Sequence, residues 1–216
     1  MSNALSYVIT ISHQIGSGGA YLGQRIAFRL CVQYVDHEII RQAAQDLKIP
    51  EEHLAFRDEK VTSRWQSLIQ ANPISFDWYP PQFYILKDQE LYNAESDIIS
   101  RIANERTTVI VGRGGYYVLR HHPRCLNVFL HANINFRQKR VQEIYHISSE
   151  QSLNMIRFME RDKANYLRKL TGQNWLDACQ YHICLDTSAI GLDKAEDIIL
   201  ETLEARFTDV EIVNPS

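Results

Sequence analysis

Hydrophobic residues along the chain form short, continuous runs separated by stretches of helical spacing. The runs are rich in β-branched residues, which is typical of strands buried on both faces of a parallel sheet. They lie at Tyr7–Ile11, Gln33–Val35, Thr107–Val111, Leu126–Leu130 and His182–Leu185. Between them, apolar residues recur every three or four positions and predict helices, as do Leu22, Ile26 and Leu30 after the first run. This alternation indicates an α/β fold with a doubly wound parallel sheet.

Several polar residues have the positions of helix N-caps. Ser148 with Gln151, and Asp193 with Glu196, show the spacing of a capping box. Asp36, directly after the second predicted strand, is placed to cap the helix that follows.

The regular pattern is lost between about residues 57 and 88. Within this stretch, Phe76–Tyr84 groups aromatic side chains around two prolines, which cannot lie inside a helix. We predict an irregular insertion here. Its aromatic residues would stack on a nucleobase, form a small satellite core or make the contact of a homodimer.

Composition and charge exclude several classes of protein. The chain has 216 residues, of which 45% are hydrophobic, enough for a packed core. A net charge of -3 provides no basic field for nucleic acid, and no stretch approaches the roughly 18 apolar residues of a membrane-spanning helix. Met1–Ser6 does not start a signal sequence, and the four cysteines lack disulfide or metal spacing. We expect a cytoplasmic protein that binds neither nucleic acid nor membranes.

Three loops follow predicted strands, and ligands of parallel sheets bind beyond the carboxyl ends of strands. They lie at Ser12–Ala20, Gly112–Gly115 and Asp186–Gly191. The first, SHQIGSGG, joins a strand to a helix, where backbone amides and the helix N-terminus can surround a phosphate.

The first loop departs from both phosphate-binding templates. Aligned with G-x-x-x-x-G-K-[ST], it has His13 for the first glycine, Gly19 for the lysine and Ala20 for the hydroxyl that binds Mg²⁺. Against G-x-G-x-x-G it has Tyr21 for the third glycine. By spacing alone, a phosphate loop and a tight structural turn remain equally open.

Several segments read together resemble the cytidylate kinase-like family of P-loop nucleoside monophosphate kinases. They are ITISHQIGSGGAYLGQRIAFRL, YVDHEII, VIVGRGGYYVL, VFLHANINFRQKRV, and DKANYLRKLTGQNW with CLDTSAIG. The resemblance implies a three-layer P-loop NTPase-like sandwich around a five-stranded parallel sheet. It also implies an inserted NMP-binding region at about 51–90 and a helical lid at about 148–172, all within one domain.

The same resemblance implies roles for individual residues. ATP, with Mg²⁺ for which no ligand is identified, would bind the loop Gly16–Ala20, namely Gly16, Ser17, Gly18, Gly19 and Ala20. Arg137 and Arg140 would border the ATP, and Asp36 and Arg41 the acceptor nucleotide. Arg113, in the second glycine turn, would contact the acceptor phosphate or the transferring group, because a planar guanidinium suits bidentate phosphate binding.

A basic stripe carries the cations of the predicted lid. Arg157, Arg161 and Arg168 are spaced by four and seven residues, so one helix would place them on one face, with Lys163 adjacent. Positive charge over the transferring phosphoryl group is what phosphoryl transfer requires, which favours catalytic roles for Arg161, Lys163 and Arg168. The alternative is a solvated face neutralised by Glu160 and Asp162.

Two functions follow from these features. The first is a nucleoside monophosphate kinase that transfers phosphate from ATP to CMP, dCMP or a related nucleotide. The second is an inactive nucleotide-binding or interaction protein on the same fold. The loop lacks the lysine and the hydroxyl of the phosphate-loop template, and Ala20 stands where the resemblance implies an arginine after GSGG.

Overall fold

The computed structural model describes residues 6–36, 85–112 and 114–207, without the side chains of 85–91 and 94. The chain divides into two compact units, Met1–Asp36 with Ile99–Ser216, and His37–Ile98. The first unit contains the sheet and the glycine loop. Most of the predicted insertion, with its aromatic residues Phe76–Tyr84, lies outside the described residues, as do Arg41, Arg113 and the helix that Asp36 would cap.

Strands and helices alternate along the described chain as the hydrophobic pattern predicts. The strands are β1 (Val8–His13), β2 (Gln33–Val35), β3 (Thr108–Val111), β4 (Cys125–His131) and β5 (Ile183–Asp186). The helices are α1 (Gly19–Arg29), α2 (Ile85–Glu105), α3 (Gly115–Val118), α4 (Ile134–Tyr145), α5 (Ser149–Thr171), α6 (Thr187–Ile190) and α7 (Leu192–Arg206). A single 3-10 turn, Ala178–Gln180, precedes β5. No helix within these ranges is both long and apolar enough to cross a bilayer.

The five strands form one parallel sheet in the order β2-β3-β1-β4-β5. β1 lies at its centre, where Ile11 pairs with Val111 of β3 and with Val128 of β4. All six residues of β1 are buried, as expected for a central strand covered on both faces. The carboxyl end of β1, and the glycine loop after it, therefore lie between the ends of β3 and β4.

The two faces of the sheet differ in chemistry. On one face, Ile9, Ile11 and Val128 pack against apolar residues of α1 and α7. On the other, Phe129 packs with Tyr116 and with Trp175, and a Thr10 hydroxyl donates to Asn127 Oδ1 at 2.6 Å. Helices on both faces make the three-layer sandwich expected of this pattern.

Three local predictions can be compared with the structure. The Ser148–Gln151 capping box is present at the start of α5. The prediction of a capping box at Asp193 and Glu196 is wrong, because α7 begins at Leu192, after Gly191. Both carboxylates instead pair with Arg25 of α1, at 2.5 Å for Asp193 and 2.6 Å for Glu196. The first loop is shorter than predicted, because strand pairing with β4 continues through His13.

Candidate functional site

The glycine loop combines groups that are bonded internally with groups that are not. The Ser17 amide donates to the Gln14 carbonyl at 3.1 Å, and the Ser17 hydroxyl lies 2.8 Å from the same oxygen. The buried Thr187 hydroxyl, at the start of α6, donates to the Ser17 carbonyl at 2.9 Å. Ser17 therefore holds the base of the loop in place.

The remaining loop amides have no acceptor. Within the described part of the chain, the N–H groups of Gly16, Gly18, Gly19 and Ala20 form no hydrogen bond. Gly16 and Gly18 adopt left-handed conformations, with φ of 83° and 93°, which only glycine adopts without strain. Free amides at a helix N-terminus have the geometry and charge that suit an anion.

The His13 ring leaves no space for a side chain at position 19. A Cβ at position 19 would lie 2.2 Å from the Cγ atom of the His13 ring, closer than atoms can approach. The two residues occupy the lysine and first-glycine positions of the phosphate-loop template. The histidine ring thus fills the space where a side chain of the loop would begin, which explains in steric terms why a lysine is absent.

His13 is a neutral side chain inside the protein. Burial, and then the positive charge of Lys163, lower the pKa of His13 from 6.5 to about 4. Its Nδ1 lies 3.1 Å from the Gln14 carbonyl, so this nitrogen carries the proton and donates. At neutral pH the ring therefore adds no charge to the loop.

Helix α5 supplies two charged groups that contact the loop. Lys163 Nζ donates to the His13 carbonyl at 2.9 Å and lies 4.5 Å from the centroid of the Trp175 ring. One turn earlier, Glu160 Oε1 accepts from the Ile15 amide at 3.3 Å. Glu160 also pairs with Arg137 of α4 at 2.5 Å. A lysine from a distant helix is therefore placed beside a loop that has no lysine.

A family model confirms the resemblance inferred from sequence. The model described as "Cytidylate kinase-like family" matches residues 8–189, most of the chain. The chain belongs to the cytidylate kinase-like family. Membership supports a nucleotide kinase-like function with general use of ATP and Mg²⁺. No curated protein sequence matches the chain.

Solved structures confirm the fold. An uncharacterised protein from Eubacterium ventriosum has a TM-score of 0.68 at 21% identity, covering 93% of this chain and 99% of that one. Shikimate kinase from Bacteroides thetaiotaomicron has a TM-score of 0.51 at 12% identity, covering 92% of this chain and 98% of that one. The architecture is that of P-loop kinases.

The structure separates the residues of the basic stripe. Arg157, Arg161 and Arg168 are exposed along the continuous helix α5, as their spacing predicts. Lys163 is half-buried and contacts the loop, because a step of two residues rotates a side chain by about 200° around a helix. The side chains of Arg161 and Arg168 form no hydrogen bond or ion pair within the described residues.

Other predicted site residues lie in different surroundings. Asp36, half-buried at the end of β2, accepts from the Tyr34 hydroxyl at 3.0 Å. Arg140 is half-buried on α4, with its guanidinium carbon 6.0 Å from the centroid of the exposed Tyr21 ring. Arg137 is buried, and its backbone packs so closely on Gly16 that a Cβ there would lie 2.5 Å from the Arg137 carbonyl oxygen.

Three residues of the site escaped the sequence analysis in their actual roles. The sequence predicts Glu160 only as a counter-charge for the basic stripe, whereas its partners are Ile15 and Arg137. Thr187 and Gln14 bind backbone groups of other segments, namely the Ser17 carbonyl and the Ala132 amide. The spacing of Glu160 and Lys163, one helical turn apart, was the sequence signal that both side chains would lie on the same side of the helix.

The described residues fit ATP better than they fit a dedicated magnesium site. The free amides suit phosphate oxygens, but Ala20 offers no hydroxyl and no group of three or more His, Cys, Asp or Glu side chains converges within the described residues. We therefore assign no magnesium ligand.

The low pKa of His13 predicts acid sensitivity. Between pH 6.5 and about 4, the unfolded chain binds a proton that the folded protein does not, so stability falls as pH falls through this window, by about 3 kcal/mol in all. Above pH 6.5 this effect is absent. Urea unfolding across pH 4–8 should show that His13→Gln loses this part of the pH dependence. Identical pH profiles for both proteins would contradict the assignment.

The contact between His13 and Gly19 predicts a strong coupling. Gly19→Ala should destabilise the protein by about 1–3 kcal/mol, because the methyl group meets the His13 ring. In a His13→Ala background the same change should be neutral or stabilising, since alanine favours a helix more than glycine does. Urea unfolding of both single variants and the double variant measures the coupling. An equal cost of Gly19→Ala in both backgrounds would refute it.

Proposed function

We propose that this protein transfers the γ-phosphoryl group of ATP to a nucleoside monophosphate, with CMP or dCMP as the first candidates. The observation that carries the proposal is the set of free amides at Gly16 and Gly18–Ala20, with Lys163 bonded to the carbonyl of His13 a few residues away. Free amides and one cation are what a triphosphate needs for binding.

The proposal assigns a role to the loop amides and to several charged residues. The loop amides bind the phosphates of ATP, and Lys163 provides the positive charge that Gly19 cannot carry. Arg140, beside the exposed ring of Tyr21, borders the nucleotide. Asp36 and Arg41 border the acceptor, and Arg113 stabilises the transferring group. The side chains of Arg161 and Arg168 are exposed and form no ion pair within the described residues, so both guanidinium groups are available to a bound phosphate.

A second function is supported by a specific observation. His13 and Gly19 together exclude a lysine from the loop, and Ala20 excludes the hydroxyl. A family member that has lost phosphoryl transfer but still binds nucleotides would show these features. Restoring the template at Gly19 and Ala20 alone would then fail, because the His13 ring must be removed as well.

Turnover distinguishes the two functions. We expect ADP release from ATP in a coupled assay when CMP or dCMP is added, and Arg113→Ala should lower the rate by about 10³-fold or more without unfolding the protein. Arg113→Lys should restore little, since a point charge does not reproduce the planar guanidinium. Binding of ATP without turnover of any nucleoside monophosphate would favour the inactive protein. Retention of more than about a third of the wild-type rate by Arg113→Ala would exclude Arg113 from catalysis.

Lys163 can be tested by binding alone. Lys163→Met keeps an unbranched apolar side chain but removes the ammonium group, which binds the His13 carbonyl and lies over the Trp175 ring, so ATP should bind about 10-fold or more weakly. Lys139→Met, on an exposed position of α4, is the matched control and should bind ATP as the wild type does. Calorimetric titration with ATP measures both. Equal ATP affinities of the two variants would show that Lys163 does not contribute to ATP binding.

A further inference from the structure

Ile15, the residue before the free amide of Gly16, is held at both of its polar groups. Its N–H donates to Glu160 Oε1 at 3.3 Å, and its carbonyl lies 3.5 Å from Arg137 Nη1. Arg137 Nη1 and Glu160 Oε1 are themselves 2.5 Å apart. Two helices, α4 and α5, thus meet at a single residue of the loop through one ion pair.

This ion pair is shielded from water. The Arg137 side chain is 9% exposed and the Glu160 side chain 22% exposed. Water can therefore replace neither partner easily, and removal of one leaves the other charge inside the protein. The pair is also electrically neutral as a whole, so Glu160 does not oppose an anion at the loop.

The geometry of the peptide bond links Ile15 to the amide of Gly16. The Ile15 carbonyl and the Gly16 N–H belong to one planar trans peptide, so they point in opposite directions. A contact that fixes the Ile15 carbonyl toward Arg137 therefore turns the Gly16 N–H away from it. Glu160 meanwhile binds the Ile15 N–H, so this amide points at the carboxylate.

We infer that Glu160 is a positioning residue of the phosphate loop, which orients the Ile15–Gly16 segment for a triphosphate through its bonds to the Ile15 amide and to Arg137. The inference rests on the proposed function only in naming ATP as the ligand. Glu160 itself touches no substrate. It acts by keeping an amide of the loop available for phosphate oxygens.

Two variants of Glu160 distinguish its hydrogen bond to the Ile15 amide from its ion pair with Arg137. Glu160→Gln keeps an oxygen for the Ile15 amide but no longer neutralises Arg137, and Glu160→Ala removes both interactions. Glu143→Gln, at an exposed position of α4, is the matched control. Hydrogen exchange of the full chain without ligand should be about 10-fold or more faster at the bonded amides within residues 13–20, namely Gln14, Ile15 and Ser17, in Glu160→Ala, and unchanged in the other strands. ATP should bind about 10-fold or more weakly to this variant, with Glu160→Gln intermediate.

The outcomes separate this inference from the proposed function. Faster exchange confined to residues 13–20 supports the positioning role even if the wild type binds no ATP, a result that would refute only the proposed function. Unchanged exchange there in both variants, or faster exchange spread equally over the sheet, overturns the positioning role. If Glu160→Ala does not fold, the test depends on Glu160→Gln. Wild-type exchange together with wild-type ATP affinity in that variant would overturn the positioning role of Glu160.

Discussion

Free amides in a glycine loop require that the other polar groups of that loop be bound elsewhere, because a peptide segment without partners would close on itself or unfold. In this protein the binding is done by neighbouring elements. Gln14 donates to the Leu130 carbonyl of β4, Ser17 is bonded through Thr187 of α6, and Ile15 is bonded through Glu160 of α5. The amides that stay free are the ones that these partners do not reach. The set of free amides is therefore determined by the surrounding elements as much as by the glycines.

The pair of His13 and Gly19 shows how a departure from a motif can be compensated within the fold. A template lysine at position 19 would have to pass the imidazole ring, so the two positions cannot carry large side chains together. Lys163 comes from another helix and reaches the carbonyl of His13. The same histidine thus excludes one lysine through its ring and binds another through its backbone. This arrangement keeps a positive charge near the loop without a lysine in it.

Helix α5 has two sides with different surroundings. One side, with Glu160, Lys163 and Leu167, faces the loop and the aromatic cluster of Phe129 and Trp175. The other side carries the exposed arginines of the basic stripe. Displacement of the loop-facing side of α5 would break the bonds of Lys163 to the His13 carbonyl and of Glu160 to the Ile15 amide. The position of α5 and the shape of the glycine loop are therefore coupled.

Sequence alone determined the local features of this protein. The alternation of apolar runs and helical spacing predicted the parallel sheet, because strand burial and helix periodicity are encoded in neighbouring residues. The glycine loop after the first strand and the capping box at Ser148 are equally local, and the family resemblance is confirmed by the family model. Tertiary structure decided the contacts between residues distant in the chain. Glu160 binds Ile15, Lys163 binds His13 and Glu196 binds Arg25 across separations of well over 100 residues, so no spacing rule could reveal them. Their partners are set by how the helices pack on the sheet, and that packing is a property of the whole domain.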